Sequence, residues 1–226
     1  MKTMWLLVAA CLVVAWAFPC LADDKQKDEE TFKNATVLLD SMLTDKAVPA
    51  DVLGKADCVL VLPNVKKMGF VVGGSGGRGA MTCRTGKGFD GKWSAPAMFK
   101  IGGVSAGLQV GGSSTDYVVL VMSEKGVEAV LKGKMKMGTD ATAAAGPSGA
   151  TSASTADMYT YGRAKGLFAG VSLGGASLES DNDANKRLYG KSVEAREIVI
   201  TNSLPAPEAG KALVGLLNSK AAKRAK

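Results

Sequence analysis

The sequence predicts an α+β fold: a strongly curved, largely antiparallel, Gly-rich β-sheet or partial barrel flanked by a few helices. Three observations predict it. Apolar spacing is helical at Phe32, Ala35, Thr36, Leu39, Met42 and Leu43, then changes at Cys58 to short apolar runs. Gly69 to Gly112 holds 14 of the 28 glycines, set between short strand-like pieces. Glycine repeated inside strands fits a sheet that bulges, curls or closes. A helical stripe returns near the C-terminus at Ala209, Leu213, Leu216 and Leu217. The 226 residues are 46% hydrophobic and 22% charged, enough for one domain with a real core and far from a disordered composition.

The elements follow in order. Residues 23–33 are polar and read as a frayed lead into the first helix. Pro49 closes that helix, and Ala50 to Lys55 adds a short helical turn. Cys58-Val59-Leu60-Val61-Leu62 is a buried strand that ends in a turn at Pro63-Asn64. Strand pieces follow at Phe70 to Val72, Ala80 to Cys83, Ala97 to Ile101 and Gly107 to Val110. Tyr117 to Met122 is a clean apolar strand. Ser123 and Glu124 cap a helix from Gly126 to Lys134. Residues 138–157 are small and weakly patterned. Met158 to Leu178 alternates again, Asp181 to Gly190 reads as a short helix, and Glu197 to Thr201 as a last strand. Pro205 and Pro207 open the final helix.

The first 22 residues read as a signal peptide. Lys2 gives a positive n-region, Met4 to Phe18 an uncharged apolar run, and Cys20-Leu21-Ala22 small residues for cleavage after Ala22. An alternative is a lipoprotein acylated at Cys20, although Phe18-Pro19 makes a poor lipobox. The expected place is therefore the periplasm or cell envelope, with residues 23–203 forming the domain and residues 204–226 a C-terminal basic amphipathic helix. Cleavage leaves Cys58 and Cys83 in an oxidising compartment. They form either a cross-strand disulfide or two buried free thiols.

Charge and composition narrow the function. The chain has no histidine, which removes Ser-His and Cys-His dyads and every His-ligated metal site. Residues 23–57 hold 5 basic and 9 acidic side chains, whereas residues 58–136 hold 11 basic and 4 acidic. The positive field thus belongs to the central β region and attracts polyanions. Export makes anionic lipid headgroups the expected partner at a membrane surface, and not nucleic acid. No cofactor and no catalysis are expected.

Three motif matches fail on context. Gly74-Ser75-Gly76-Gly77-Arg78-Gly79 fits a dinucleotide loop, but Ala80 to Gly86 reads as strand and turn where a helix is required. Gly103 to Gly107 and Gly170 to Gly174 both fit GxSxG, yet there is no His base and no long helix follows either Ser. Gly190-Lys191-Ser192 mimics a phosphate loop, but Asn185 stands where that loop needs Gly. Glu179, Asp181 and Asp183 read either as a solvated acidic turn or as a divalent-cation cluster.

Four ordered blocks carry a family resemblance: GFVVGGSGGRGAM (Gly69 to Met81), WSAPAMF (Trp93 to Phe99), GVSAGLQVGG (Gly103 to Gly112) and MYTYGRAKGLFAGVSLGGASL (Met158 to Leu178). With ADCVLVLP (Ala56 to Pro63) and GTDATAAAGP (Gly138 to Pro147), they closely resemble the lipid-binding SYLF domain family over roughly residues 30–200. The resemblance implies a non-enzymatic phospholipid-binding domain, here of the bacterial secreted kind. Eukaryotic members are linked to phosphoinositides and actin. The net acidic stretch 23–57 departs from their basic N-terminal segment, so neither phosphoinositide specificity nor an actin partner is expected. The alternative is a structural or protein-interaction module of the envelope.

The basic residues expected to meet lipid are Lys66, Lys67, Arg78, Lys100, Arg163 and Lys165. Trp93, Phe99 and Phe168 are the candidates for insertion at the interface, against ordinary core packing.

Overall fold

A computed structural model describes residues 18–69, 72–106, 111–133, 136–137, 142–145, 150–155, 157–165, 176–201, 203–221 and 224. Its elements are α1 (Phe18–Thr44), α2 (Ala50–Lys55), β1 (Cys58–Gly69), β2 (Val72–Cys83), β3 (Ala97–Ala106) and β4 (Gly111–Val121). Then come α3 (Glu124–Leu131), β5 (Lys136–Met137), β6 (Thr142–Ala145), β7 (Ala150–Thr155), β8 (Met158–Lys165) and β9 (Ala176–Ser180). The chain closes with α4 (Asn182–Tyr189), α5 (Ala195–Val199) and α6 (Glu208–Lys220).

The strands form one open antiparallel sheet in the order β5-β9-β3-β2-β1-β4-β8-β7-β6. Its central strands are covered on both faces, and the alternation of side chains sorts them. Cys58, Leu60 and Leu62 of β1 lie with Phe99, Tyr117, Val119, α3 and α5. Val59 and Val61 lie with Met98, Val118, Leu120 and four helices: α1, α2, α4 and α6. An antiparallel strand with one wet face alternates apolar and polar. Here the runs CVLVL and YVVLV are continuous because neither face is wet. Leu213 and Leu217 of α6 are fully buried against the α1 layer, so the C-terminal helix is part of this core.

Four sequence expectations change. Residues 23–33 are not frayed: α1 is helical from Phe18, and Asp28 within it is fully buried. The backbone of α1 therefore runs through the expected cleavage point after Ala22. Glu197 to Thr201 is not a strand. Residues 195–199 form helix α5, because Ala195, Ile198 and Val199 recur at helical spacing and bury against the sheet. Residues 142–145 and 150–155 form β6 and β7, whose small side chains, mostly Ala, Ser and Thr, carry no clear period-two signal.

The fourth change matters most for the site. Pro63-Asn64 does not end β1 but bulges it. Leu62 pairs with Tyr117 and Val65 with Thr115, so β1 has one extra residue there. Asn64 takes the left-handed conformation (φ 57°), which Asn tolerates better than most residues. Its N–H donates to Asp116 Oδ1 at 2.8 Å, and the Ser114 hydroxyl donates to its side-chain oxygen. The bulge reverses the faces, so Leu62 and Val65 both enter the α3 layer. Gly79 sits against it: a Cβ there would lie 2.1 Å from the Val61 carbonyl oxygen. The predicted piece at Gly107 to Val110, part of Phe70 to Val72, and the GxSxG match at Gly170 to Gly174 lie outside the described residues.

Candidate functional site

Past the bulge the sheet runs beyond the helices that cover it among the described residues. Register places the backbone positions there in rows. On the α1 face, Gly102, Gly76, Lys66, Ser114 and Lys165 share one row. One step further out, Val104, Gly74, Met68 and Gly112 share the next. Lys67 has the opposite phase and follows Val65 onto the other face, where its row partners are Ser75, Gly103 and Ser113. No Asp or Glu stands in any of these three rows. Lys66 is exposed, Lys67 half-buried, and burial pulls the Lys67 ammonium below its usual range.

Of the other expected lipid ligands, Arg78 and Arg163 are engaged inside the fold. Arg78 stands on the same face as Lys66, one row closer to the core. Its Nη1 reaches Asp28 Oδ1 of α1 at 2.8 Å, and its Nη2 reaches Asp181 Oδ2 at 2.9 Å. Asp28 also takes Arg187 Nε at 2.6 Å and Arg187 Nη2 at 3.2 Å. This hydrogen bonding to Asp28 is the main reason the Arg187 guanidinium is held above its usual range. Two arginines on two buried carboxylates thus tie α1, β2 and α4 together. Arg163 donates to Ser41 Oγ at 3.0 Å and Asp45 Oδ2 at 2.8 Å, holding β8 to the end of α1. Lys100 is exposed and lies 3.9 Å from Glu179 across the β3–β9 pair. The register fixes the position of Lys165, while its side chain and the whole of Phe168 lie outside the described residues.

Two insertion candidates are overturned by burial. Phe99 is 0% exposed and packs in the α3 layer. Trp93 is 3% exposed, and its Nε1–H donates to the Ala221 carbonyl at 2.9 Å. Arg84 stacks over its ring at 4.4 Å and donates to the same carbonyl at 2.7 Å. Both side chains therefore fasten the end of α6 and are out of reach of a bilayer. Cys58 and Cys83 face each other across β1 and β2 and are disulfide-bonded.

Sequence reasoning missed two features. Met68 is 70% exposed and Val104 is 80% exposed, both on the outer row of the α1 face. What sets them apart is their pairing: the cross-strand partner of each is Gly74. Asp28 was also missed, although it continues the phase of Phe32, Ala35, Leu39 and Met42 and so belongs to the buried stripe.

A half-open cleft of about 250 Å³ lies between α1 and the bulge, with Asn34, Ser41, Asn64, Asp116 and Arg163 on its wall. Arg163 is already paired there, and Asp116 adds a negative charge, so the cleft does not suit an anion. Among the described residues no group of three or more His, Cys, Asp or Glu could hold a metal ion. Asp181 instead caps α4 by accepting from Ala184 N–H, and Glu179 faces Lys100. No helix of the described residues is long and apolar enough to cross a membrane.

Residues 102–220 match the family model described as Ysc84, a Las17-binding protein actin regulator. The chain is 33% identical over 206 residues to a rat SH3 domain-containing YSC84-like protein 1, covering 88% of this chain and 59% of that protein. It is 32% identical over 206 residues to the human protein of the same name, with the same coverage. It is 33% identical over 186 residues to the budding-yeast protein YSC84, covering 78% of this chain and 39% of that one. The chain thus spans well under two thirds of the length of these relatives. No solved structure matches it. The match over more than half its length, together with the ordered glycine blocks, places this chain in the Ysc84/SYLF domain family.

Proposed function

We propose that the chain is a non-enzymatic module that binds anionic phospholipids, and that the uncovered end of β1 to β4 is the surface that meets the headgroups. One observation carries the reading: the three rows beyond the bulge hold Lys66 and Lys67 and no carboxylate. A lysine near an anionic surface contributes about 1 kcal/mol. The complete lack of histidine supports a binding role over hydrolytic chemistry. The Cys58–Cys83 disulfide supports an exported protein, because such bonds persist in oxidising compartments. The apolar run from Met4 to Phe18 supports the same route, toward the periplasm or envelope.

The test is flotation with vesicles of phosphatidylglycerol or cardiolipin against phosphatidylcholine, at low salt. Recovery should follow the anionic lipid, fall as salt rises, and drop sharply in the Lys66→Glu/Lys67→Glu double variant. Equal recovery on both lipids would refute the proposal. The description of the matched family, an actin regulator that binds Las17, favours a second reading in which the surface takes a protein. That reading requires a partner retained at salt concentrations that remove lipid.

A further inference from the structure

The sheet end carries two large hydrophobic side chains, Met68 and Val104, that no other described residue covers. Met68 and Val104 stand in one row of the α1 face, with Gly74 between them and Gly112 beyond Met68. Two strand spacings separate them by about 10 Å. The lysine row lies two residues back, about 7 Å along the strands.

The glycines around them are not required by internal packing. A Cβ at Gly76 would meet nothing within 4 Å. At Gly74, Gly102 and Gly112 it would meet only a neighbouring carbonyl oxygen, at 3.8–3.9 Å. Gly77 and Gly79 behave differently, because there a Cβ would press on Val65 or on Val61 and Leu62. The first four glycines therefore lower the surface around Met68 and Val104. Two apolar side chains stand clear of a bare backbone shelf, with a cation behind them and no acid in either row.

We propose that Met68 and Val104 form a shallow wedge that enters the interface of an anionic bilayer while Lys66 stays at headgroup level. The inference rests on the lipid-binding reading above and adds the residues and the depth. Apolar groups of interfacial proteins sit roughly 5–10 Å into the boundary between headgroups and acyl chains. A separation of about 7 Å between the rows puts the side chains below that boundary and the ammonium above it. The lack of any carboxylate in the two rows matches a negatively charged surface. This wedge takes the role that burial denies to Trp93 and Phe99.

The experiment uses the full chain carrying Val104→Trp, with the parent protein's tryptophan signal subtracted. On phosphatidylglycerol vesicles the emission should shift to the blue and be quenched by bromines placed high on the acyl chains. The same substitution at Val37, exposed on α1 beside the cleft, should stay aqueous. The Met68→Ser/Val104→Ser variant should keep its circular dichroism spectrum and lose about tenfold in vesicle partitioning at high salt. If the parent floats and the indole introduced by Val104→Trp neither shifts nor is quenched, the wedge is wrong and the lipid reading survives. If the parent does not float, both fall. A blue shift that needs no vesicle and grows with protein concentration would assign the face to a second copy and overturn the wedge.

Discussion

Removing the Asp28 carboxylate separates the fold from the lipid surface. Asp28 is fully buried and accepts from Arg78 Nη1, Arg187 Nε and Arg187 Nη2 at 2.6–3.2 Å. Asp28→Ala leaves two guanidinium groups facing a cavity, with only Asp181 still paired to Arg78. Breaking a buried ion pair from one side costs about 3–5 kcal/mol. Both arginines reach solvent in part (side chains 40% and 21% exposed), so a discounted value of about 2–4 kcal/mol is expected. For a chain of this length each kcal/mol lowers Tm by about 2–4 °C, so the melt should fall by roughly 5–15 °C. Urea unfolding followed by circular dichroism measures it directly. Vesicle binding below the new transition should persist, because Lys66 and the outer row do not touch Asp28. A loss under about 1 kcal/mol would refute the view that Arg78 is a structural residue. An intact fold that binds vesicles more strongly than the parent would show that Arg78, once released from Asp28, reaches the lipid after all.

Two further outcomes follow from single positions. Gly79→Ala forces a Cβ to within 2.1 Å of the Val61 carbonyl oxygen and should destabilise by about 3 kcal/mol or more, whereas Gly76→Ala meets open space and should stay within about 0.5 kcal/mol; urea midpoints compare them. Burial raises the Asp57 carboxyl from 3.8 to about 6, with Arg224 and Arg84 pulling the other way. The charged form is therefore disfavoured in the fold, and stability from this group is lost as pH rises from about 4 through 6. The shift corresponds to about 3 kcal/mol. The urea midpoint of the parent, minus that of Asp57→Asn, should fall between about pH 4.5 and 7; a difference that rises instead would mean the carboxyl is held low.

Much of the architecture was legible because period and punctuation agree. The apolar runs at Cys58 to Leu62 and Tyr117 to Met122 read as strands at once, and Ser123 marked the start of α3. The misreadings have physical causes. Pro63-Asn64 carries ordinary turn chemistry, and only the pairing of β4 and β2 on either side turns it into a bulge. At 195–199 the apolar residues suit either period, and contact with β2 and β3 decides for helix. Asp28 falls on the buried stripe of α1, but a carboxylate there stands out only once its arginines arrive from β2 and α4. The basic residues were visible as charges, but their partners were not. Arg78 and Arg163 each meet a carboxylate far off in sequence, 50 and 118 residues away. Trp93 and Phe99 looked amphipathic or apolar in isolation, and only tertiary burial separates a core aromatic from an interfacial one.

The bulge joins the structural and functional halves of the sheet. Side chains alternate with period two, so one extra residue at Pro63-Asn64 exchanges the two faces of everything that follows in β1. Without it Val61, Pro63, Val65 and Lys67 would share the α1 face, while Lys66 and Met68 would turn to the other side. With it, Val65 returns to the α3 layer beside Leu62, and Lys66 and Met68 join Gly74, Gly76 and Val104. Gly79 is the residue that permits this, since a side chain there would collide with the backbone at Val61 and Leu62. The glycines of this chain thus divide by physical role. Those at 77 and 79 make room for the bulge inside the molecule, and those at 74, 76, 102 and 112 lower the surface where the bulge has placed a lysine and a methionine.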